Sequence, residues 1–503
     1  MENEKVLKTR PSAVIRWSIL LFISLAMFGN YYVYDSISPL ADLLAKQLNF
    51  TDSNIGLLQG IYSFPNIIMV LIGGLIIDRI GSKKAVLIFT FLIFLGSVVT
   101  AVYGNIVTMV IGRLIFGMGA ESMIVAITTI IAQWFKGKEL SFAFGLNLTV
   151  ARLGSFLALN SPTWGKNLYN YWQSPLWVTV GATLFAVVFI LIYFAFDKYF
   201  SAKTEKKETS EQDKVYISDI FKTPTKKLVI FTLSAIAAGF VILEFALKIN
   251  FIGNVFVHLV LFVAIILFTY IKLDSFPKSF WLISALCVTF YSAMFPFQTF
   301  AIKFFQDAHG TTRAVGGNLS SILTLAAMFF TPLFGLLADK IGKRSLLMMF
   351  GSLIIIPVYI MMAYKFGAPG VLGENDFINI NFDFFDIHAA IPKYLMLPMG
   401  MMGLAFSLVP AVMWPSVALV VKEEKLGTAY GLMTMIQNIG LFSFNVIIGF
   451  VNDLSKAGPQ NPGGYNLGMW IFSALGFFGM AFAFMLRRNE KGPNNFGLEK
   501  GMK

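Results

Sequence analysis

The stretch GLLADKIGKR at 335–344 repeats, with small changes, the stretch GLIIDRIGSKK at 74–84. Gly74, Asp78, Arg79, Gly81, Lys83 and Lys84 match Gly335, Asp339, Lys340, Gly342, Lys343 and Arg344. Each copy ends one long apolar stretch and opens the next, so a charged turn recurs at the same place in two series of apolar segments. That is the mark of a chain built from two parallel repeats. Outward from these turns, segments of the ~20 mostly apolar residues that a helix needs to cross a bilayer follow one another from Trp17 to Leu486. Fourteen can be counted.

Composition agrees. The 503 residues are 57% hydrophobic and 13% charged, with 52 Phe and a mean hydropathy of +0.72, too little polar surface to coat a water-soluble globule of this size. A net charge of +12 raises the question of a nucleic-acid partner, which the placement of the charges answers. Lys5, Lys8, Arg10 and Arg16 precede the first span. Arg79, Lys83 and Lys84 follow the second, Lys136 and Lys138 the fourth, and Lys203, Lys206, Lys207 and Lys214 the sixth. Lys340, Lys343 and Arg344, then Lys422 and Lys425, then Arg487 and Arg488 continue the pattern. By the positive-inside rule these loops and both termini are expected in the cytoplasm, within a cell inner (plasma) membrane. The charge reports topology and implies no nucleic acid.

The expected organisation is an all-α polytopic membrane protein in three parts. Residues 1–200 hold six spans, at roughly 16–44, 53–77, 84–104, 106–134, 139–163 and 174–196. Residues 201–276 begin with SAKTEKKETSEQDK, which cannot bury apolar surface and reads as a linker, and continue into two apolar segments joined by KINFIGN. This inserted pair leaves and re-enters on one side, so residues 277–503 carry six further spans in the same orientation. The loop 366–390 contains four acids and no Lys or Arg and is expected to face outward. A fainter repeat aligns AFGLNLTVARLG at 143–154 with AYGLMTMIQNIG at 429–440, which sets Arg152 of the first half opposite Asn438 of the second. Cys287 stands alone, and His258, His309 and His388 have no metal-ligand spacing, so no disulfide, metal or cofactor is implied. The leading MENEKVLKTRPSAVIRW lacks a cleavage site and reads as a tail entering a retained first span.

The doubled Gly-x-x-x-Asp-Arg/Lys-x-Gly-Arg/Lys-Arg/Lys, with Arg113, Gly117 and Gly119 as Arg-x-x-x-Gly-x-Gly on the fourth span, resembles the signature of the major facilitator superfamily over nearly the whole chain. More narrowly, GRLIFGMGAESMIVA, WFKGKELSFAFGLNLTVARLGS, YSAMFPFQTF and WPSVALVVKEEKLGTAYGLMTMIQNIGL look like the lysosomal dipeptide uniporter branch. The resemblance implies two six-helix bundles rocking about a central site. It further implies a dipeptide substrate held by an acid at its amino end and an arginine at its carboxylate. The inserted pair departs from that branch's twelve-helix plan and is shared with proton-coupled bacterial peptide transporters. Yet their Glu-x-x-Glu-Arg signature is missing from the first span, which reads FGNYYVYDSISP.

Ionisable residues inside spans cost roughly 2.5–3.5 kcal/mol each on insertion scales and mark function or pairing. The core spans hold Asp35, Arg113, Glu121, Arg152 and Lys303, and the inserted pair holds Glu244 and His258. Glu121 falls near the middle of the fourth span, and Arg152 lies ~20 Å along the fifth, at a rise of ~1.5 Å per residue. The two can clamp a zwitterion, with Glu121 on the ammonium and the forked guanidinium on the carboxylate; the alternative is a structural salt bridge that never meets substrate. Trp414 and Gln298, beside Pro415 and Pro296 where helices are expected to bend, and Asn438 with Gln437 are further substrate contacts, against a packing role for each. Asp78, Arg79, Asp339 and Lys340 are expected as gate residues that hold an outward-open state. Arg113 stands between packing and gating or coupling. Asp35 reads as a cap or interfacial residue, or else as an outer gate or proton site. The resulting expectation is a small-peptide transporter, uniporting or proton-coupled, with no enzymatic constellation. A transporter of organic anions or drug-like solutes gripped by Arg152 alone is the alternative, and a non-transporting receptor a third reading.

Overall fold

The computed structural model describes residues 13–135, 140–201, 222–246, 255–270, 272–368, 376–382, 387–422, 425–493 and 495–500. Most of the expected linker at 201–214 and the KINFIGN turn lie outside the described residues. The first half contains α1 (Ala13–Asp35), α2 (Ala41–Leu48), α3 (Asp52–Gly60), α4 (Ser63–Ile80), α5 (Ser82–Val102), α6 (Ile106–Trp134), α7 (Leu140–Leu159) and α8 (Gln173–Ser201). The inserted pair is α9 (Lys226–Val241) and α10 (Val255–Tyr270). The second half contains α11 (Lys278–His309), α12 (Arg313–Ile341), α13 (Arg344–Ala363), α14 (Lys393–Val420), α15 (Leu426–Leu454) and α16 (Asn466–Glu490).

Twelve helical segments among the described residues are long and apolar enough to cross a membrane, and this is a multi-pass membrane protein. Two of the fourteen expected spans fall outside that twelve. The second is divided into α3 and α4, and α10 has 16 residues. The division has a local cause. Pro65, in the first turn of α4, has no N–H to give the carbonyl of Ile61 and its ring crowds that position, so the helix stops and restarts at Ile61 and Tyr62. Pro39 likewise opens a short 3-10 turn, Ser38–Leu40, just after α1 ends. Both breaks release backbone carbonyls inside the protein.

The doubled signature folds twice into the same turn. Gly81 and Gly342, its last glycines, cap α4 and α12 at φ +84° and +66°, a region that costs a side chain ~1–2 kcal/mol and costs glycine nothing. Within the first half α5 packs on α6, α1 on α7 and α8, and α4 on α6, around Phe89, Ile93, Phe116 and Met123. In the second, α12 packs on α14, α13 on α16 and α11 on α16, around Phe290, Phe297, Tyr359 and Met402. The inserted helix α10 rests on α15, and its Leu259 joins Leu57 and Ile61 of one half and Phe442 and Val446 of the other along their seam.

The acidic loop contains one departure from an all-helical chain. Phe377–Phe382 (β1) and Ile387–Pro392 (β2) pair antiparallel, with Phe377 opposite Pro392 and Phe382 opposite Ile387. The strand FININF alternates apolar and amide residues with the period of two that a strand requires. β2 touches α12 and α14 of the second half and also the Ser161–Trp164 turn of the first.

Candidate functional site

Between the halves lies a cavity of about 670 Å³. Its lining follows helical stripes. On α7 these are Gly145, Leu148, Thr149, Arg152 and Ser155; on α6, Phe116, Ala120, Glu121, Ile124 and Val125. The end of α1 adds Asn30, Tyr31, Tyr34 and Asp35, and the restart of α4 adds Tyr62. The second half contributes Tyr291 and Phe295 from α11, Phe406, Pro410 and Trp414 from α14, and Thr434, Gln437 and Leu441 from α15. Asp35, Glu121 and Arg152 are its only Asp, Glu, Lys or Arg residues among those described, and all three belong to the first half.

Glu121 sits near the midpoint of the 29-residue α6. Among the described residues neither Glu121 nor Arg152 makes an ion pair or a hydrogen bond, with each other or with anything else. The Arg152 guanidinium instead lies over two rings, Tyr31 at 5.6 Å and Phe406 at 5.2 Å. Across the cavity the Trp414 indole N–H donates to the Tyr291 hydroxyl at 2.9 Å, and the Tyr430 hydroxyl donates to the Trp414 carbonyl at 3.2 Å.

Arg113 lies elsewhere. It is buried outside the cavity lining, and its Nε donates to the Leu58 carbonyl at 3.1 Å and Nη1 to that of Val33 at 3.0 Å. Its Nη2 reaches the Tyr34 carbonyl at 3.4 Å and the Gln59 side-chain oxygen at 2.8 Å. These are the carbonyls that the breaks after α1 and α3 release. A cation at two helix C-termini is also favoured by their dipoles. Arg113 therefore ties α1, α3 and α6 together at one end of the cavity.

At that end, opposite the signature turns, the halves are bonded to each other. Arg313 of α12 forks onto Asp42 of α2, with Nε to Oδ1 at 2.9 Å and Nη2 to Oδ2 at 2.6 Å. Lys303 of α11 pairs with Asp52, which also accepts from Asn452 Nδ2 at 3.0 Å. Asp453 of α15 caps the start of α3, accepting from the Asp52 and Ser53 amides at 2.8 Å each. A β-carbon on Gly56 would run into the Asn445 carbonyl, and one on Gly317 into that of Leu159, so backbones touch across the seam. At the signature end Gly74, Gly145 and Gly335 face open space. These contacts close the cavity at the end away from the signature turns.

Several expectations need correcting. Gln298 is not in the lining: it sits in the closed end, where its backbone carbonyl accepts from the Ser38 hydroxyl at 2.7 Å. Asn438 also points away, buried and donating to the Thr434 carbonyl of its own helix at 3.0 Å. One residue makes the difference, because the cavity stripe of α15 runs through Thr434, Gln437 and Leu441, and a step of ~100° turns Asn438 into the bundle. The salt bridge between Glu121 and Arg152 weighed as an alternative is not formed. Phe406, Tyr291 and Phe295 were missed, although Phe406, Pro410 and Trp414 stand four apart in the sequence, the spacing of one helix face. The signature groups bond within their own halves. Asp339 pairs with Arg344, and Lys83 with Asp197 at 2.7 Å; Arg79 and Lys340 are both exposed. The Asp78 side chain lies outside the described residues.

A model of the Major Facilitator Superfamily matches residues 23–297 and again 281–501. The lysosomal dipeptide transporter MFSD1 of Bos taurus is 29% identical over 450 residues, covering 87% of this chain and 80% of the relative. The protein of the same name from Homo sapiens is also 29% identical over 450 residues with the same shares. Among solved structures, a peptide transporter POT in complex with sulfate superposes with a TM-score of 0.65, at 15% identity and 96% coverage of each chain, which is a likeness of fold.

Proposed function

The chain belongs to the Major Facilitator Superfamily, and on that premise we propose that it carries dipeptides across a cell inner membrane by alternating access. The termini and signature turns face the cytoplasm, and the arrangement described is the inward-open one. The observation that carries the substrate is the unpaired state of Glu121 and Arg152. Two opposite charges in a lipid-embedded cavity, each costing roughly 2.5–3.5 kcal/mol, gain more from pairing than from standing apart unless a ligand supplies both counter-charges. A dipeptide does: its ammonium meets Glu121 and its carboxylate takes the Arg152 fork. The second half offers aromatic and neutral groups, with Trp414, Tyr291 and Phe406 facing the cavity, which suits side chains of varied size. This reading is supported by the dipeptide transporters among the relatives. We assign residues 1–200 and 277–503 to the two bundles and 201–276 to the linker and the inserted pair.

Reconstituted liposomes loaded in turn with and without a pH gradient test the proposal with a panel of labelled dipeptides. Uptake by the native protein and its loss in Glu121→Gln and Arg152→Ala are expected. Uptake that rises with an inward proton gradient assigns symport, with Asp35 and Glu121 as the carboxylates to examine; uptake indifferent to it assigns uniport. Failure of every dipeptide to move under both conditions sinks the substrate. Unimpaired binding of N-acetylated peptides favours instead a carrier of organic anions held by Arg152 alone.

A further inference from the structure

We propose that Phe406, from the half that carries none of the site's charge, is a positioning residue that aims the Arg152 guanidinium at a substrate carboxylate. The proposal rests on the dipeptide reading and adds to it how the carboxylate is recognised. Among the described residues Arg152 makes no ion pair or hydrogen bond, and Asp35 is its nearby acid in the lining; its flanking contacts are the faces of Tyr31 at 5.6 Å and Phe406 at 5.2 Å. A ring face attracts the cation yet takes none of its hydrogen bonds. The guanidinium is thus held between two walls with its in-plane N–H groups unspent, the geometry that a carboxylate meets edge-on with two parallel bonds.

Phe406 is itself fixed. It is 2% exposed and meets Phe295 edge to face, at 5.7 Å and 85°. Phe295 stacks on Tyr291 at 5.4 Å and 22° and stands edge-on to Tyr34 of the first half at 5.9 Å and 86°. Trp414 in turn holds the Tyr291 hydroxyl. The second wall of the carboxylate subsite is therefore supplied by α14 across the seam, and the subsite is complete only while the halves keep this relation.

The test uses the full-length protein in lipid nanodiscs, with alanyl-leucine and its C-terminal amide as probes and equilibrium binding as the readout. The native protein binds the free acid more tightly than the amide. Phe406→Leu weakens the free acid by about tenfold, a desolvated cation–π contact, and leaves the amide unchanged, so discrimination collapses. Phe406→Tyr restores it, and Tyr31→Leu repeats the loss from the other wall. Thermal unfolding of each variant separates a folding defect from a binding one. Phe406→Leu weakening both probes equally, or neither, overturns the positioning role while the dipeptide reading stands. Absence of binding of either probe to the native protein sinks the dipeptide reading and the positioning role together.

Discussion

The two ends of the groove between the halves are held by different means. At the closed end, buried charges cross the seam and backbones meet through Gly56 and Gly317. At the signature end, Gly74, Gly145 and Gly335 face open space and the charged pairs close within one half. In lipid the hydrophobic effect gives helices no reason to associate, so close packing and polar bonds decide which faces join. The closed end has both. The signature's charges bond within one half, whereas the residues that join the halves at the closed end are a scatter of Asp, Lys and Arg that no repeat announces.

The strongest way to break the comparison is Asp52→Ala. It leaves Lys303, whose side chain is 11% exposed, without its main partner and with Asp307 at 3.9 Å as the remaining acid. Removing one member of a buried pair costs ~3–5 kcal/mol, here charged to the closed end alone. A reporter is available because Cys287 is buried: Val446→Cys, 4% exposed at the seam, should pass from unreactive to readily labelled by a membrane-impermeant thiol reagent added from the closed side. Labelling that stays at the background of the reporter alone removes the salt bridge from the closure.

Arg113→Lys comes next. An ammonium cannot span the Leu58, Val33 and Tyr34 carbonyls and the Gln59 side chain together, and losing bonds of a charged donor costs ~1.5–3 kcal/mol each. The ends of α1 and α3 should loosen, raising labelling of the same reporter and quickening amide exchange over residues 33–36 and 58–62. Exchange unchanged there would mean that the broken helix ends are held by other contacts.

A paired substitution sharpens the contrast. Gly56→Ala and Gly145→Ala make one chemical change at the two ends. The first forces the Asn445 carbonyl to move, at ~1–3 kcal/mol for overpacking; the second adds a methyl group to open space. Reporter labelling should rise several-fold with the first and stay put with the second. Equal responses would erase the difference between the ends.

The helical membrane fold, the two signature turns and the few charges within the spans were legible because each has a periodicity or a composition to carry it. Gly81 and Gly342 betray their turns, and Glu121 stands out because so few charges occur in apolar spans. What stayed hidden depends on single residues and on contacts between distant segments. The break at Ile61 follows from Pro65, but a proline also fits inside a helix, as Pro296 does in α11. Asn438 follows from a one-residue difference in facing that repeat alignment cannot resolve. Arg113 was singled out by its motif, yet its partners are carbonyls released by breaks 55 and 80 residues away in the sequence. The first strand of the acidic loop, FININF, had its alternation in plain view, masked by the expectation of an outward loop.

The smallest effect belongs to Asp339→Asn, and it tests whether the signature acts in the state opposite to this one. Here Asp339 is 44% exposed and pairs with Arg344 of its own half, an exposed pair worth ~0–1 kcal/mol. Arg344 also keeps a second anchor, its amide donating to the Leu498 carbonyl at 3.0 Å, so the turn persists without the acid. Losing Asp339 should therefore leave thermal stability and the closed end nearly untouched, with labelling at Val446→Cys unchanged or lower. Uptake should still slow several-fold, because a state closed at the signature end would lose a contact that the present state does not use. Labelling that rises as it does in Asp52→Ala would show that the signature holds the closed end from across the molecule, and the division of labour between the two ends would be wrong.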